Sequence, residues 1–334
     1  MLKAGIIGLG VGERHVAGYE ADPRCKVTVL CDLDAAKLSD VAGRNPGRRL
    51  TTDANDVLSD PAIDLVSIAS FDNFHRDQII TAIANGKHIF VEKPICQFDE
   101  EFDAIVDALA RNPQIKLSSN LILRRTPRFV ELRRRIQSGA LGDIYHLEGD
   151  YDYGRVHKIL TGWRTSIPFY SVVHGGAIHL IDLILWLTGK AVEEVFAYGS
   201  RIATRGSNFR NDDLVVSILR FSDGSTAKIS ANFACVAPHH HRLSVFGTAA
   251  TFEQGHVGAA YFNSRDPAAE PEVLTDPYPG AAKGDMLPSF VAHILDGKPA
   301  DISKEDVLAA MAVSLAIERS HQSGQPEKVH YANL

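Results

Sequence analysis

The sequence predicts an α/β protein in two parts: a parallel, doubly wound half, then a half with an open, mostly antiparallel sheet. Three observations predict it. Short apolar runs alternate with helical patterns from Ala4 to Ser119. A glycine-rich turn, Gly8-Leu9-Gly10-Val11-Gly12, stands between the first run and the first helix. Beyond residue 120 the runs lengthen, become β-rich and are joined by short turns. Strands alternating with helices call for right-handed crossovers and a parallel sheet. Strands joined by hairpins give an antiparallel sheet, one face of which is free to cover a partner subunit. A chain of 334 residues has room for two domains, expected at 1–119 and 120–334.

In the first part, Ala4 to Ile7 reads as a buried strand and Glu13 to Glu20 as the helix after the glycines. Lys26 to Cys31 is the next strand, with Asp34 placed to cap a helix from Ala35. Asp64 to Ser70 is a strand, and His75 to Asn85 a helix closed by Gly86. Lys87 to Val91 is a short apolar strand stopped by Glu92-Lys93-Pro94. Phe102 to Arg111 and Ile115 to Ser119 complete the alternation.

In the second part, Thr126 to Ser138 is a basic helix, and its Arg133-Arg134-Arg135 run reads as a solvated face. Strands are expected at 144–153, 195–199, 214–221, 226–233 and 241–246. Ser222-Asp223-Gly224-Ser225 is a hairpin turn. Pro267 to Gly284 reads as an irregular excursion, and Met286 to Leu295 and Lys304 to Ser320 as closing helices.

Strand, glycine turn and helix in that order are the context in which glycines receive a dinucleotide. The turn is tight, the backbone must approach the pyrophosphate, and the helix N-terminus offers N–H groups to it. The pattern is imperfect, because the third glycine is due at position 13 and the chain has Glu13, with Gly12 one place early. Asp32 lies 22 residues after Gly10, where an acid binds the ribose hydroxyls. A carboxylate there repels a 2′-phosphate, so NAD is expected over NADP. Lys93, held by the proline after it and set at the carboxyl end of a parallel strand, stands where open α/β sheets bind ligands.

Composition narrows the partners. The formal net charge of -6 argues against nucleic acid or an anionic membrane surface. No apolar run is long enough to span a bilayer, and the N-terminus has no signal-peptide core. Cys25, Cys31, Cys96 and Cys235 lack metal-ligand spacing; reduced thiols in a cytoplasmic protein are expected. Pro238-His239-His240-His241 invites a metal, but adjacent strand residues point to opposite faces, so no metal site is expected.

These residues resemble the Gfo/Idh/MocA oxidoreductases. The likeness rests on Ser67-Ile68-Ala69-Ser70, His75, Ala84-Asn85-Gly86-Lys87-His88 and Glu92-Lys93-Pro94. It continues through Ser138 to Asp143, Trp163-Arg164, Gly175 to Asp182 and Phe221 to Gly224. The resemblance implies a Rossmann domain and a C-terminal α/β domain whose open sheet makes a homodimer or homotetramer. It implies hydride exchange between NAD and a carbinol carbon of a sugar, cyclitol or nucleotide sugar. It implies cofactor contacts at Gly8, Gly10, Val11, Gly12, Asp32, Ser70, His75, Glu92, Lys93, Asn120, Trp163 and Arg164. Lys93 and His179 are the implied catalytic pair. By position, His174 and Asp182 are further substrate candidates, Asp182 either orienting the imidazole or binding a substrate hydroxyl, and Tyr153 either binds sugar hydroxyls or packs. Tyr151 and His157 flank the expected cleft.

The chemistry is consistent with those types. A secondary alcohol losing hydride from its carbon needs a proton acceptor for the hydroxyl and a positive group beside the developing alkoxide. Asp182, three residues after His179, would share its helix face. One departure stands out: family members often carry an aspartate four residues before the histidine, and here that residue is Gly175. His174 next to it is a candidate substitute. The departure leaves two other readings open, tightly held NAD as a relay in a net non-redox reaction, or an inactive NAD-binding sensor.

Overall fold

The structure, a computed structural model, describes residues 1–332. It divides into two compact units, Met1–Ile122 with Ala282–Leu308, and Leu123–Ala281 with Ala309–Tyr331.

In the first unit six strands form one parallel sheet. They are β1 (Leu2–Ile7), β2 (Cys25–Cys31), β3 (Arg49–Thr51), β4 (Leu65–Ile68), β5 (His88–Val91) and β6 (Leu117–Ser119), in the order β3-β2-β1-β4-β5-β6. All five pairings are parallel. This is the doubly wound Rossmann order, whose direction reverses between β1 and β4 and opens a crevice at their carboxyl ends. The helices between are α1 (Glu13–Glu20), α2 (Ala35–Arg44), α3 (Asn55–Leu58), α4 (His75–Ala84) and α5 (Asp99–Arg111). Asp34 caps α2 as expected, accepting from the backbone of Ala36 and Lys37. Three acids, Asp99, Glu100 and Glu101, open α5 earlier than the apolar pattern suggested, where negative charge suits the helix dipole.

The central strands are buried on both faces; β4 and the last three residues of β5 expose nothing, while the edge strand β3 is open to solvent. The segment 282–308 returns to this unit, although the sequence division placed it with the second. Its helix, α9 (Leu287–Asp296), presents Phe290 to Phe90 of β5 at 5.8 Å between ring centres. Helix α1 accepts the segment because Gly18 has no Cβ, which would lie 2.6 Å from the Gly284 carbonyl oxygen. An apolar stripe that seeks a distant surface leaves no mark in local sequence.

The second unit carries nine strands. They are β7 (Ile144–Asp152), β8 (Val192–Ser200), β9 (Leu214–Phe221), β10 (Thr226–Asn232), β11 (His240–Gly247), β12 (Thr251–Gln254), β13 (Ala259–Phe262), β14 (Glu272–Leu274) and β15 (Glu327–Lys328). Their order is β14-β13-β12-β11-β7-β10-β9-β8-β15, antiparallel except where β7 meets β10. The last strands, from β12 on, were not foreseen; at two to four residues they are too short to show alternation. The excursion 267–284 is irregular apart from β14.

The helices of this unit are α6 (Pro127–Gln137), α7 (His157–Leu160), α8 (Ile178–Thr188) and most of α10 (Lys304–Ser323). Helix α8 covers one sheet face, with Leu180 against Gly149 of β7. The arginine run of α6 is engaged by aromatic rings: Arg133 lies 4.2 Å from the Trp186 ring centre and Arg135 4.0 Å from that of Tyr261. No helix among the described residues is long and apolar enough to cross a membrane.

Truncating Phe90, fully buried between His15 and Phe290, leaves a cavity in the first unit. Phe90→Ala should lower its unfolding free energy by about 3–5 kcal/mol, read from urea denaturation.

Candidate active site

The carboxyl ends of β1 and β4 are pressed together. Gly8 sits at φ +86° and donates to the Cys31 carbonyl at 2.8 Å. A Cβ there would lie 2.2 Å from the Ala69 carbonyl oxygen. A Cβ on Gly12 would lie 2.2 Å from the Gly8 carbonyl oxygen, but one on Gly10 would meet nothing within 4 Å. Gly12 therefore provides the close packing at the head of α1, and Glu13 is turned to an ion pair with Arg44. Val11 is half-buried beside the open approach to Gly10. Asp32 accepts from the Leu9 backbone at 2.7 Å and lies 3.1 Å from the Lys37 ammonium. The acid thus holds the glycine turn onto β2 as well as standing where the ribose is expected.

The loop after β5 is held from three sides. The Glu92 backbone donates to Ile68 at 2.8 Å. His75 donates from Nδ1 to the Pro94 carbonyl and lies 3.2 Å, through Nε2, from that of Ser70. His75 is fully buried. It clamps the two loops together and has no surface to offer a cofactor, which corrects the contact expected of it. The Ser70 hydroxyl donates to Gln78 at 2.7 Å. Glu92 accepts from Asn120 Nδ2 at 2.8 Å and faces His15 Nε2 at 3.3 Å. Burial works to raise its carboxyl, but His15, Lys93 and Lys283 outweigh it and bring the pKa down to about 2. Lys93 is half-buried beside it.

This end of the unit fits a dinucleotide. Gly10 leaves backbone open where a pyrophosphate would lie. The buried Asn120 Oδ1 finds no donor among the described residues, an arrangement that suits an amide N–H such as that of a nicotinamide.

In the second unit, His179 is the second residue of α8, reached through a widened π turn over Val173–Ala177. Such turns recur at functional positions. The imidazole stacks on Tyr151 of β7 at 6.1 Å, and Tyr151 stacks in turn on Tyr153 and Phe233. His239 and His241 reach the same Tyr151 ring at 5.1 Å each. His240 instead meets His256 at 4.7 Å, the split of faces expected for adjacent strand residues. Arg164 lies over Trp163 at 4.6 Å and donates to the Tyr170 hydroxyl at 2.9 Å. His157, on the short α7, is exposed.

Tyr170 fills the space at Gly175, where the resemblance led us to expect an aspartate. A Cβ on Gly175 would lie 2.1 Å from the Tyr170 hydroxyl, and one on Gly176 would lie 2.5 Å from the Tyr151 ring. The glycine pair lets two tyrosines pack against the turn before His179. His174 does not take the aspartate's place: its Nδ1 meets Ser314 on α10 at 2.7 Å, so it braces the turn from behind. Asp182 is corrected likewise. It is 1% exposed, and both oxygens are taken by Arg124, at 2.5 and 3.0 Å. A buried charge needs such a partner. His15 and Tyr170 were missed from sequence: each reads locally as a core residue of ordinary spacing.

Two outcomes follow from this geometry. Gly175→Asp should overpack the turn and destabilise the second unit by about 1–3 kcal/mol or more, and adding Tyr170→Ala should recover part of the loss in thermal melts. Glu92, with its folded pKa depressed, contributes stability above the unfolded value near 4.5, and that stability is lost as pH falls toward about 2. At full effect it amounts to about 3 kcal/mol. The unfolding free energies of wild type and Glu92→Gln should therefore approach each other from about pH 5 down to about pH 2 in urea titrations.

Two family models match the chain. Residues 2–120 match an oxidoreductase family with an NAD-binding Rossmann fold, and residues 129–253 match the GFO/IDH/MocA C-terminal domain. The myo-inositol 2-dehydrogenase of Thermotoga maritima is 23% identical over 352 residues, covering 98% of each chain. The levoglucosan dehydrogenase of Pseudarthrobacter phenanthrenivorans is 26% identical over 262 residues, covering 69% of this chain and 67% of that one. Among solved structures, scyllo-inositol dehydrogenase from Lactobacillus casei, with bound NAD(H) and scyllo-inositol, superposes with a TM-score of 0.81. It is 22% identical over 98% of this chain and 99% of that one. With both halves matched, the chain belongs to the GFO/IDH/MocA oxidoreductases and carries their NAD-binding Rossmann fold.

Proposed function

We propose that the protein is an NAD-dependent dehydrogenase that oxidises a secondary alcohol of a cyclitol or sugar. The observation that carries the reading is the glycine turn. Gly8 and Gly12 admit no side chain, Gly10 lies open, and Asp32 holds the turn where NAD rather than NADP is favoured. The names of the inositol and levoglucosan dehydrogenases support the substrate class. So do the rings of Tyr151, Tyr153 and Phe233 beside the His179 imidazole, since sugar-sized ligands take apolar walls with a few polar groups.

When bound, the nicotinamide accepts the hydride. His179 takes the hydroxyl proton, work an imidazole can do near neutral pH. Lys93 donates to the oxygen as charge develops on it. Trp163 and Arg164 are assigned to the cofactor, and Tyr153 to substrate hydroxyls. The glycine at 175 is accounted for by Tyr170, so it lends no weight to a redox relay or an inactive sensor.

The working form is a homo-oligomer joined through the open sheet face. Phe196, Tyr198, Val216 and Ile218 adjoin there in register, with Tyr198 67% and Ile218 49% exposed. Four cysteines without a disulfide fit a reducing cytoplasm.

Lys93→Ala should cut polyol-dependent NADH formation by about 100-fold or more while NADH still binds, followed by its fluorescence; undiminished turnover would remove Lys93 from the reaction. Ile218→Glu should lower the mass measured by light scattering to that of a smaller assembly.

A further inference from the structure

Asp32, the carboxylate that grips the glycine turn, takes three donors from the protein itself. Its Oδ2 accepts from the Leu9 backbone at 2.7 Å and from the Lys37 ammonium at 3.1 Å. Its Oδ1 accepts from the Asp34 backbone at 2.9 Å. An ionised carboxylate has about four acceptor sites, so about one remains for a further donor. A ribose that offers both its 2′ and 3′ hydroxyls brings two. Two of the three donors are backbone N–H groups, fixed by the glycine turn and by the start of α2. The third is a side chain, 41% exposed on a flexible stem, against 8% for the Asp32 side chain. Local sequence puts it there. Asp34 caps α2 and accepts from the Ala36 and Lys37 backbones at 2.9 and 3.1 Å. Asp32-Leu33-Asp34-Ala35-Ala36-Lys37 is thus one arrangement that brings an ammonium back onto the carboxylate. The setting is anionic: burial first, and then the charges of Asp32, Asp53 and Asp56, push the neighbouring Cys31 thiol up to about 12.

We propose that Lys37 is a specificity-determining residue for the dinucleotide: it competes with the ribose hydroxyls for Asp32, offers its ammonium to a 2′-phosphate, and so narrows the preference for NAD over NADP. For NAD the ammonium has to leave Asp32 before both hydroxyls find acceptors. For NADP it turns to the phosphate, where a charge-assisted contact offsets the repulsion from the carboxylate. Asp32 sets the direction of the preference and Lys37 its size. The proposal rests on the dinucleotide site of the function proposed above, and not on the alcohol or on Lys93 and His179.

The experiment is titration of NADH and of NADPH into the purified protein without substrate, with binding read from the fluorescence of the reduced nicotinamide. Lys37→Met keeps an unbranched stem and removes the charge. It should bind NADPH about tenfold more weakly than wild type. It should bind NADH as tightly, or up to about threefold more tightly, since the partly exposed ion pair that the ribose displaces is worth little. Lys37→Arg keeps the charge and should bind NADPH to within about twofold of wild type or better. A ratio of the two dissociation constants that stays within about twofold of wild type in Lys37→Met overturns the proposal. So does an equal loss of both dinucleotides, which would make the lysine a support of the turn, and so does wild type that binds NADH but no NADPH. In each of these cases NADH binding by wild type leaves the dehydrogenase reading in place. Wild type that binds neither dinucleotide overturns both. Should the ratio shift as expected while no polyol is oxidised, the dehydrogenase reading falls and the role of Lys37 stands.

Discussion

No side chain fits between the turn after β1 and the strand end of β4. The contact there is backbone against backbone, with the Cα of Gly8 facing the carbonyl of Ala69. Everything at the carboxyl edge of the first unit is placed by that approach. It seats Gly12 at the head of α1, leaves Gly10 facing open space, and sets Asp32 where its carboxylate can grip the turn. Helix α1 then delivers His15 to the strand ends, where it meets Ser67 and Glu92. A substituent of even one carbon at Gly8 would push apart the loops that carry Ser70 and the glycine turn.

The second unit solves a related problem with larger groups. The turn before His179 is widened, and its two glycines are occupied from outside by Tyr170 and Tyr151. The imidazole therefore lies against an aromatic wall. Around that wall the charged groups are paired off: Asp182 with Arg124, and Tyr170 with Arg164. Buried polar groups that are fully partnered hold a single geometry. This is how the turn before His179 can carry no side chain at position 175.

Much of this was legible in the chain itself. Alternation of short apolar runs with helical patterns determined the parallel sheet, because a strand buried on both faces must be apolar throughout. The glycines, Asp32 and the Glu92-Lys93-Pro94 stop marked the carboxyl edge, because tight turns and breakers act through local backbone sterics. Asp34 as a cap and the Ser222–Ser225 hairpin are of the same local kind.

Only the tertiary structure decided which groups those residues would meet. The return of α9 to Phe90, the pairing of Asp182 with Arg124, the turning of His174 to Ser314 and the filling of Gly175 by Tyr170 all join residues far apart in the chain or across a turn. Local sequence states a side chain's chemistry and its face. It does not state which distant atom will fill the remaining space, and in a close-packed interior that neighbour decides whether a carboxylate or an imidazole faces a ligand or braces the fold.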